Sequence, residues 1–464
     1  MNVGTGRRGL LTRASLARAQ RSVVGAGWVV GDQALISASN FLGMVIAARA
    51  MPTADFGTYA LAWTGIWALN SVQSSLITQP YSVLAARSDE AAYRGYTTAT
   101  GRMQVVMTLA VGVPIVAVGL VAVGVGVGPV LVAVGLAVMG WQAQEFMRRV
   151  LFFEGRFRAV GALDVVSFGG QLAAIAVLAV AGQLTVASAL VAAAVTSAIS
   201  ALIGLRLLRS TFAAEPLAGT AAENVAHGRW LLGAEVGAFI CLNSYPFILA
   251  LTTGSEAVAI YAAAMLILNP LNVIWFAVGN VLPIRLSRAR ASRGDGAARG
   301  ELRAAYRGSM PVVGLYCLVA ALLSGPLLAF LFGDAYAGYG WVVAGAALIR
   351  FVGYHSHLLA IGLRAQHNTR PIFTGYVIAA PFSVVIGVVL TSLFGIAGAL
   401  VAMLAATLIW TAAWARAYAR GPDDAGRAWP EDEAPWSRPP EDTEGWSGPV
   451  EDTSRLAATA RSLN

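Results

Sequence analysis

Lysine is absent from this chain of 464 residues: all 32 basic residues are arginine. Charge of either sign is scarce. Charged residues make up 12%, about half of what a soluble domain carries, which excludes a soluble globular protein. Cysteine is nearly absent as well. Cys241 and Cys317 both fall in apolar runs. No Cys/His spacing suggests a disulfide framework, a metal site or a bound cofactor. What fills the chain instead is apolar: 57% of residues are hydrophobic and the mean hydropathy is +0.66. This is the composition of a polytopic membrane protein.

An α-helix needs ~20 apolar residues to cross the hydrocarbon core of a bilayer. Twelve such runs are legible, at residues 24–48, 57–84, 100–125, 128–151, 160–182, 184–207, 230–253, 256–283, 308–332, 340–363, 371–393 and 395–417. Their connections alternate. The N-tail and the connections after even-numbered runs are rich in Arg, whereas those after odd-numbered runs are short and nearly free of it. Positive residues mark the cytoplasmic side, so both termini are expected there. The excess of eight positive charges is therefore read as topology, and no nucleic acid is expected as a partner. The basic N-terminus resembles a signal peptide, but the run that follows is too long and lacks a small-residue cleavage site. It is expected to stay as the first span.

The expected organisation is a basic cytoplasmic N-tail (1–23), a six-helix bundle (24–207), a cytoplasmic linker (208–229), a second six-helix bundle (230–417) and an acidic cytoplasmic tail (418–464). The segment from Arg285 to Arg307 is the longest cytoplasmic connection inside the body, with seven Arg against Asp295 and Glu301. It is expected to contact lipid headgroups. After Arg420 the composition turns to Pro, Gly, Glu and Asp, which predicts disorder. Residues 421–464 hold ten acidic residues and four Arg, and a loose Trp-and-acid repeat recurs around Trp429, Trp436 and Trp446. That repeat is a candidate docking motif for a partner protein.

The two bundles look like copies. At an offset of 203, Asp32 falls on Glu235 and Asn40 on Asn243; one deletion later, Tyr59 falls on Tyr261 and Asn70 on Asn272. Acid and amide are eight residues apart in both copies, just over two helical turns, so they share a face. Both copies start from the cytoplasm. Such parallel repeats are related by an axis along the membrane normal, with substrate between them.

Three short stretches carry a resemblance. Residues 48–60, ARAMPTADFGTYA, are similar to the signature that follows the first span in Wzx-type polysaccharide flippases of the MATE-like MOP superfamily. Leu331-Phe332-Gly333-Asp334-Ala335-Tyr336 and Arg149-Val150-Leu151-Phe152-Phe153-Glu154-Gly155-Arg156 match two further stretches of that family. The resemblance implies an all-α polytopic fold of twelve transmembrane helices, with two parallel six-helix bundles around a V-shaped central cavity. It also implies alternating access in a bacterial plasma membrane. The cargo would be polyprenyl-diphosphate-linked oligosaccharide for cell-surface polysaccharide, with membrane lipids around it and polysaccharide-assembly proteins as partners for the tail.

A diphosphate headgroup crossing ~30 Å of hydrocarbon needs a wet cavity with cations and donors. Arg supplies a planar, bidentate fork for phosphate. Arg350, about ten residues into its span, is the leading candidate, with Tyr354 and His357 on the same stripe. Asn40 and Asn243 are either sugar contacts or helix–helix hydrogen bonds. Arg148 and Arg149, with Glu145, form either a headgroup-capture cluster at the inner mouth or an interfacial ion-pair cluster that Asp164 completes. Asp32 and Glu235 are candidate H⁺ or Na⁺ coupling sites, since intramembrane carboxylates commonly relay protons; the alternative is a structural pairing with Arg. A cation-coupled multidrug antiporter is the second functional reading, and the buried Arg350 speaks against it. An enzyme such as a glycan polymerase or transferase is not expected, because the external loops offer only Asp55, Glu256 and Asp334 as acids.

Overall fold

The computed structural model describes residues 31–87, 90–366, 368 and 370–421. The basic N-tail, the start of the first expected span and the acidic tail from residue 422 onward lie outside the described residues. Among the described residues every regular element is helical. Helix α1 covers 31–50 and ends at Pro52, whose ring fixes φ and lacks the N–H to continue it. Pro52 then serves as N-cap of α2, Thr53–Gln73, which runs through a π turn at Ser74–Thr78 into Gln79–Leu84. There follow α3 (Glu90–Val121), α4 (Gly128–Phe153), α5 (Phe157–Asp164, continued past a second π turn by Gly170–Val180) and α6 (Val186–Leu207). Beyond it lie α7 (Thr220–Asn243), α8 (Tyr245–Thr252), α9 (Ser255–Leu268), α10 (Leu271–Leu322), α11 (Ser324–Phe332), α12 (Gly340–Ala365) and α13 (Arg370–Arg420).

Among the described residues, eight helices are long and apolar enough to cross a membrane. Two of them, α10 and α13, are each folded at one glycine, Gly294 (φ 79°) and Gly395 (φ 57°). Only a residue without Cβ enters that left-handed region freely, so a single Gly interrupts an otherwise continuous run. Both glycines sit where the apolar pattern expects a connection.

The packing is inside-out relative to a soluble protein. On α3 the buried stripe is polar: Thr97, Thr100, Gln104 and Thr108 are 8% exposed or less. The outward positions are Val105, Val106, Leu109, Val113 and Leu120, all between 49% and 68% exposed. The buried amides bond to one another, with only Gln73 Oε1 of this set left without a partner among the described residues. Gln73 donates through Nε2 to Gln104 Oε1 at 2.9 Å and to the Gln142 carbonyl at 2.7 Å. Gln104 donates on to Thr108, whose hydroxyl reaches Gln142 Oε1 at 3.1 Å. Polar groups inside and aliphatic groups outside are the arrangement that lipid demands. The chain is an all-α polytopic membrane protein.

In the first half α4 packs between α3 and α6; in the second half α12 packs between α10 and α13. The halves meet where α2 lies on α9. A Cβ on Gly57 would fall 1.8 Å from the Ser255 carbonyl oxygen, so only Gly allows this approach, and Thr58 adds a hydroxyl contact to Ser255 at 3.3 Å. The same end carries a second clasp. Arg49 donates to the carbonyls of Phe330 and Leu331, and Phe56 meets the edge of Tyr336 with ring centroids 6.4 Å apart. Two of the stretches that carry the family resemblance therefore touch each other.

One boundary differs from the sequence expectation. Helix α7 begins at Thr220, inside the segment read as a linker up to 229. Asn224 there is fully buried, accepts from Tyr96 Oη at 2.5 Å and donates to Thr100. Gly228 lies against the Ser75 carbonyl. A polar helix start packs against the first half because buried partners await it, which hydropathy cannot register.

Candidate functional site: a cation-lined cavity between the halves

Residues of α1 and α2 on one side, and of α7 to α10, α12 and α13 on the other, enclose a cavity of about 530 Å³. Its polar character comes chiefly from α12. Arg350, His357 and Arg364 stand seven residues apart and all line the cavity. Two helical turns separate each from the next, so they form one ladder, about 21 Å long at ~1.5 Å per residue. Asn243, Asn269, Asn272 and Ser356 add neutral donors and acceptors. Among the described lining residues none is Asp or Glu.

Arg350 has no ion-pair partner among the described residues, and its buried Nε has no hydrogen-bond acceptor. His357 Nε2 is in the same condition. An unpaired guanidinium in hydrocarbon is costly; beside a hydrated cavity it is tolerable, and it is free for an incoming anion. Tyr354 does not share this position. It is fully buried and packs edge-on to Trp275 at 5.3 Å, behind the cavity wall. Its offset of ~40° from Arg350 around the helix turns it toward α10.

Aromatic rings make up much of the remaining wall. Trp63, Trp67, Trp275, Trp410 and Trp414 all line it, with Tyr376 bridging the last two at 5.7 and 5.3 Å. Rings with N–H or O–H edges present flat apolar faces and polar rims, a surface suited to pyranose rings. Sequence reasoning missed these Trp residues because they are spread over three distant apolar runs: Trp63 and Trp67 in 57–84, Trp275 in 256–283, and Trp410 and Trp414 in 395–417. It also counted Arg364 only as a topological charge near a connection, although the 350–357–364 heptad spacing was visible. Arg364 additionally sits in the last turn of α12, where a cation complements the helix carbonyls.

The other sequence candidates lie elsewhere. Arg148 is held by three carboxylates: Asp164 at 2.7 Å, Asp32 at 2.8 Å and Glu145 at 3.4 Å. Gln144 donates to the second oxygen of Asp164 at 2.9 Å. Arg149 pairs with Glu145 at 3.3 Å. This places Asp32, Arg148 and Arg149 in an ion-pair network of the first half, outside the cavity lining. Asp32 is 8% exposed, but Glu235, its sequence counterpart, is exposed on α7, so the two acids do not share an environment. Asn40 is partly buried and outside the lining, whereas Asn243 is part of it.

No family model and no curated protein matches the sequence. Solved structures do match its shape. An inward-facing multidrug resistance MATE family transporter of the MOP superfamily aligns with a TM-score of 0.67 at 10% identity, over 81% of this chain and 92% of that one. This protein shares the fold of that structure. The lipid II flippase MurJ in an inward closed conformation gives 0.66 at 11% identity, over 84% and 86%. An outward-facing MATE transporter agrees less well, at 0.58 with 11% identity over 82% and 90%. These solved relatives in shape are transporters and a flippase rather than enzymes.

Proposed function

We propose that this protein is a flippase that carries polyprenyl-diphosphate-linked oligosaccharide across the plasma membrane by alternating access, for cell-surface polysaccharide. The observation that carries the reading is the cavity's charge: two Arg and one His in a ladder, no carboxylate among the described lining residues, and an Arg350 with no partner. An anionic headgroup supplies the missing partner. Asn side chains and Trp faces suit the sugars, while the lipid tail stays in the bilayer. Both termini are proposed to be cytoplasmic, on the Arg-rich side. The reaction has no covalent step, so the chain is not proposed to be an enzyme. H⁺ or Na⁺ coupling through Asp32 is a weaker component, because Asp32 is already paired with Arg148.

The second reading, a multidrug antiporter, draws on the MATE likeness alone; a cavity that selects organic cations would present acids. The test is binding of polyprenyl-diphosphate glycan to the purified protein, measured by native mass spectrometry. Tight binding that Arg350→Ala abolishes supports the flippase. Binding of a lipophilic cation in its place, indifferent to Arg350, overturns it.

A further inference from the structure

The segment from 285 to 307 is a helical hairpin folded at Gly294. Its two acids are consumed internally: Asp295 pairs with Arg290 at 2.7 Å, and Glu301 with Arg285 at 2.8 Å and Arg293 at 3.8 Å. That leaves Arg288, Arg299, Arg303 and Arg307 exposed and without an ion pair among the described residues. Arg416 and Arg420 at the end of α13 are exposed and unpaired in the same sense.

The end of α13 and the Arg299–Arg303 face of the hairpin form one ridge. Tyr418 of α13 and Leu302 of the hairpin pack side by side against Gly362, and Tyr418 lies within electrostatic range of Arg299 and Arg303. The ridge also borders the cavity, because Arg290 donates to the carbonyl of Ala365 at 2.7 Å, next to the lining residue Arg364.

We infer that residues 422–464 of this same chain dock on the ridge. Four Arg against ten acidic residues give the segment a net charge of −6, opposed to the six unpaired Arg. It begins at the ridge itself. Gly421 follows α13 with φ 82° and donates to the Tyr418 carbonyl at 3.3 Å, which closes the helix three residues beyond Tyr418. Acid pairs recur every ten residues, at Glu431-Asp432, Glu441-Asp442 and Glu451-Asp452. Ten residues of random coil would span roughly 18 Å, about the ~18 Å rise of twelve helical residues from 295 to 307, a spacing that lets successive pairs reach successive parts of the ridge. Trp429, Trp436 and Trp446 lie beside the acids and offer ring faces to guanidinium groups. The docked segment places carboxylates at the rim near Arg364 and competes there with anionic lipid headgroups. None of this depends on what the cavity transports.

The test uses the full chain with Cys241 and Cys317 replaced by Ser and spin labels at Gly300→Cys and Thr443→Cys. A Cβ on Gly300 meets nothing within 4 Å. Pulsed electron paramagnetic resonance in nanodiscs of neutral lipid should show a short-distance population. It should be lost at ~0.5 M salt, where the screening length falls to roughly 4 Å, and lost in Arg299→Glu/Arg303→Glu/Arg307→Glu. The corresponding triple Lys variant, which keeps the charge, should retain it. A distance distribution that is unchanged by salt and by charge reversal overturns the proposal. So does the absence of any short-distance population in neutral-lipid nanodiscs at low salt.

Discussion

Arg148 and Arg350 are the same residue type, each inside an apolar helix, and they have opposite surroundings. Arg148 lies within 3.4 Å of three carboxylates. Arg350 has none among the described residues and leaves its Nε without an acceptor. A charge whose partners are built into the fold holds helices together; a charge left open awaits something that arrives. The first half thus uses its buried cation to fix α1, α4 and α5, and the second half keeps its own facing a cavity.

The largest effect expected from that contrast is structural. Arg148→Ala strands Asp32 and Asp164, leaves Glu145 to Arg149 alone, and should destabilise by about 3–5 kcal/mol, the usual cost of breaking a buried pair. Thermal unfolding in detergent checks this, and Arg148→Gln with Asp164→Asn should recover much of the loss. Arg350→Ala should do the reverse, leaving unfolding and abundance unchanged while glycan export falls at least ~10-fold, equivalent to about 1.4 kcal/mol of lost binding. Arg350→Lys should restore export only in part, since the charge returns without the bidentate fork. Full export by Arg350→Ala at normal abundance would break the comparison.

Arg364→Ala should lower export less, by a few-fold, because the exposed end of the ladder is already screened by solvent. The smallest effect belongs to Asp32→Asn. It removes one of three acids around Arg148 and should cost roughly 1 kcal/mol in stability, with export retained; a complete loss of export at normal stability would make Asp32 a coupling site after all.

The fold was largely legible in the sequence because lipid enforces it. Runs of ~20 apolar residues, Arg alternation and glycine-marked connections are direct consequences of bilayer thickness and backbone satisfaction. The site was legible only along single helices. The period of α12 put Arg350 and His357 on one face, and the same count misplaced Tyr354, whose ~40° offset sends it behind the wall. What distinguishes Arg148 from Arg350 comes from elsewhere in the chain: Asp32 is 116 positions away. Periodicity reports depth and face, never which side chains another helix brings. The helical start of α7 escaped for a related reason, since the partners that bury Asn224 lie on α3.

If the proposed alternating access holds, the Arg49 and Phe56 clasp bears on how often the opposite state is visited. Any cycle that opens that face must release Arg49 from two carbonyls, part Phe56 from Tyr336 and separate Gly57 from Ser255. Hydrogen bonds from a charged donor contribute about 1.5–3 kcal/mol each, and ~1.4 kcal/mol is a tenfold change in a population ratio. Under the proposed alternating access the clasp therefore acts as a counterweight: it disfavours the open-faced state, and it sets the free energy that cargo must return to make that state common. Weakening it by one contact would speed opening, and would also leave the gate ajar with nothing inside.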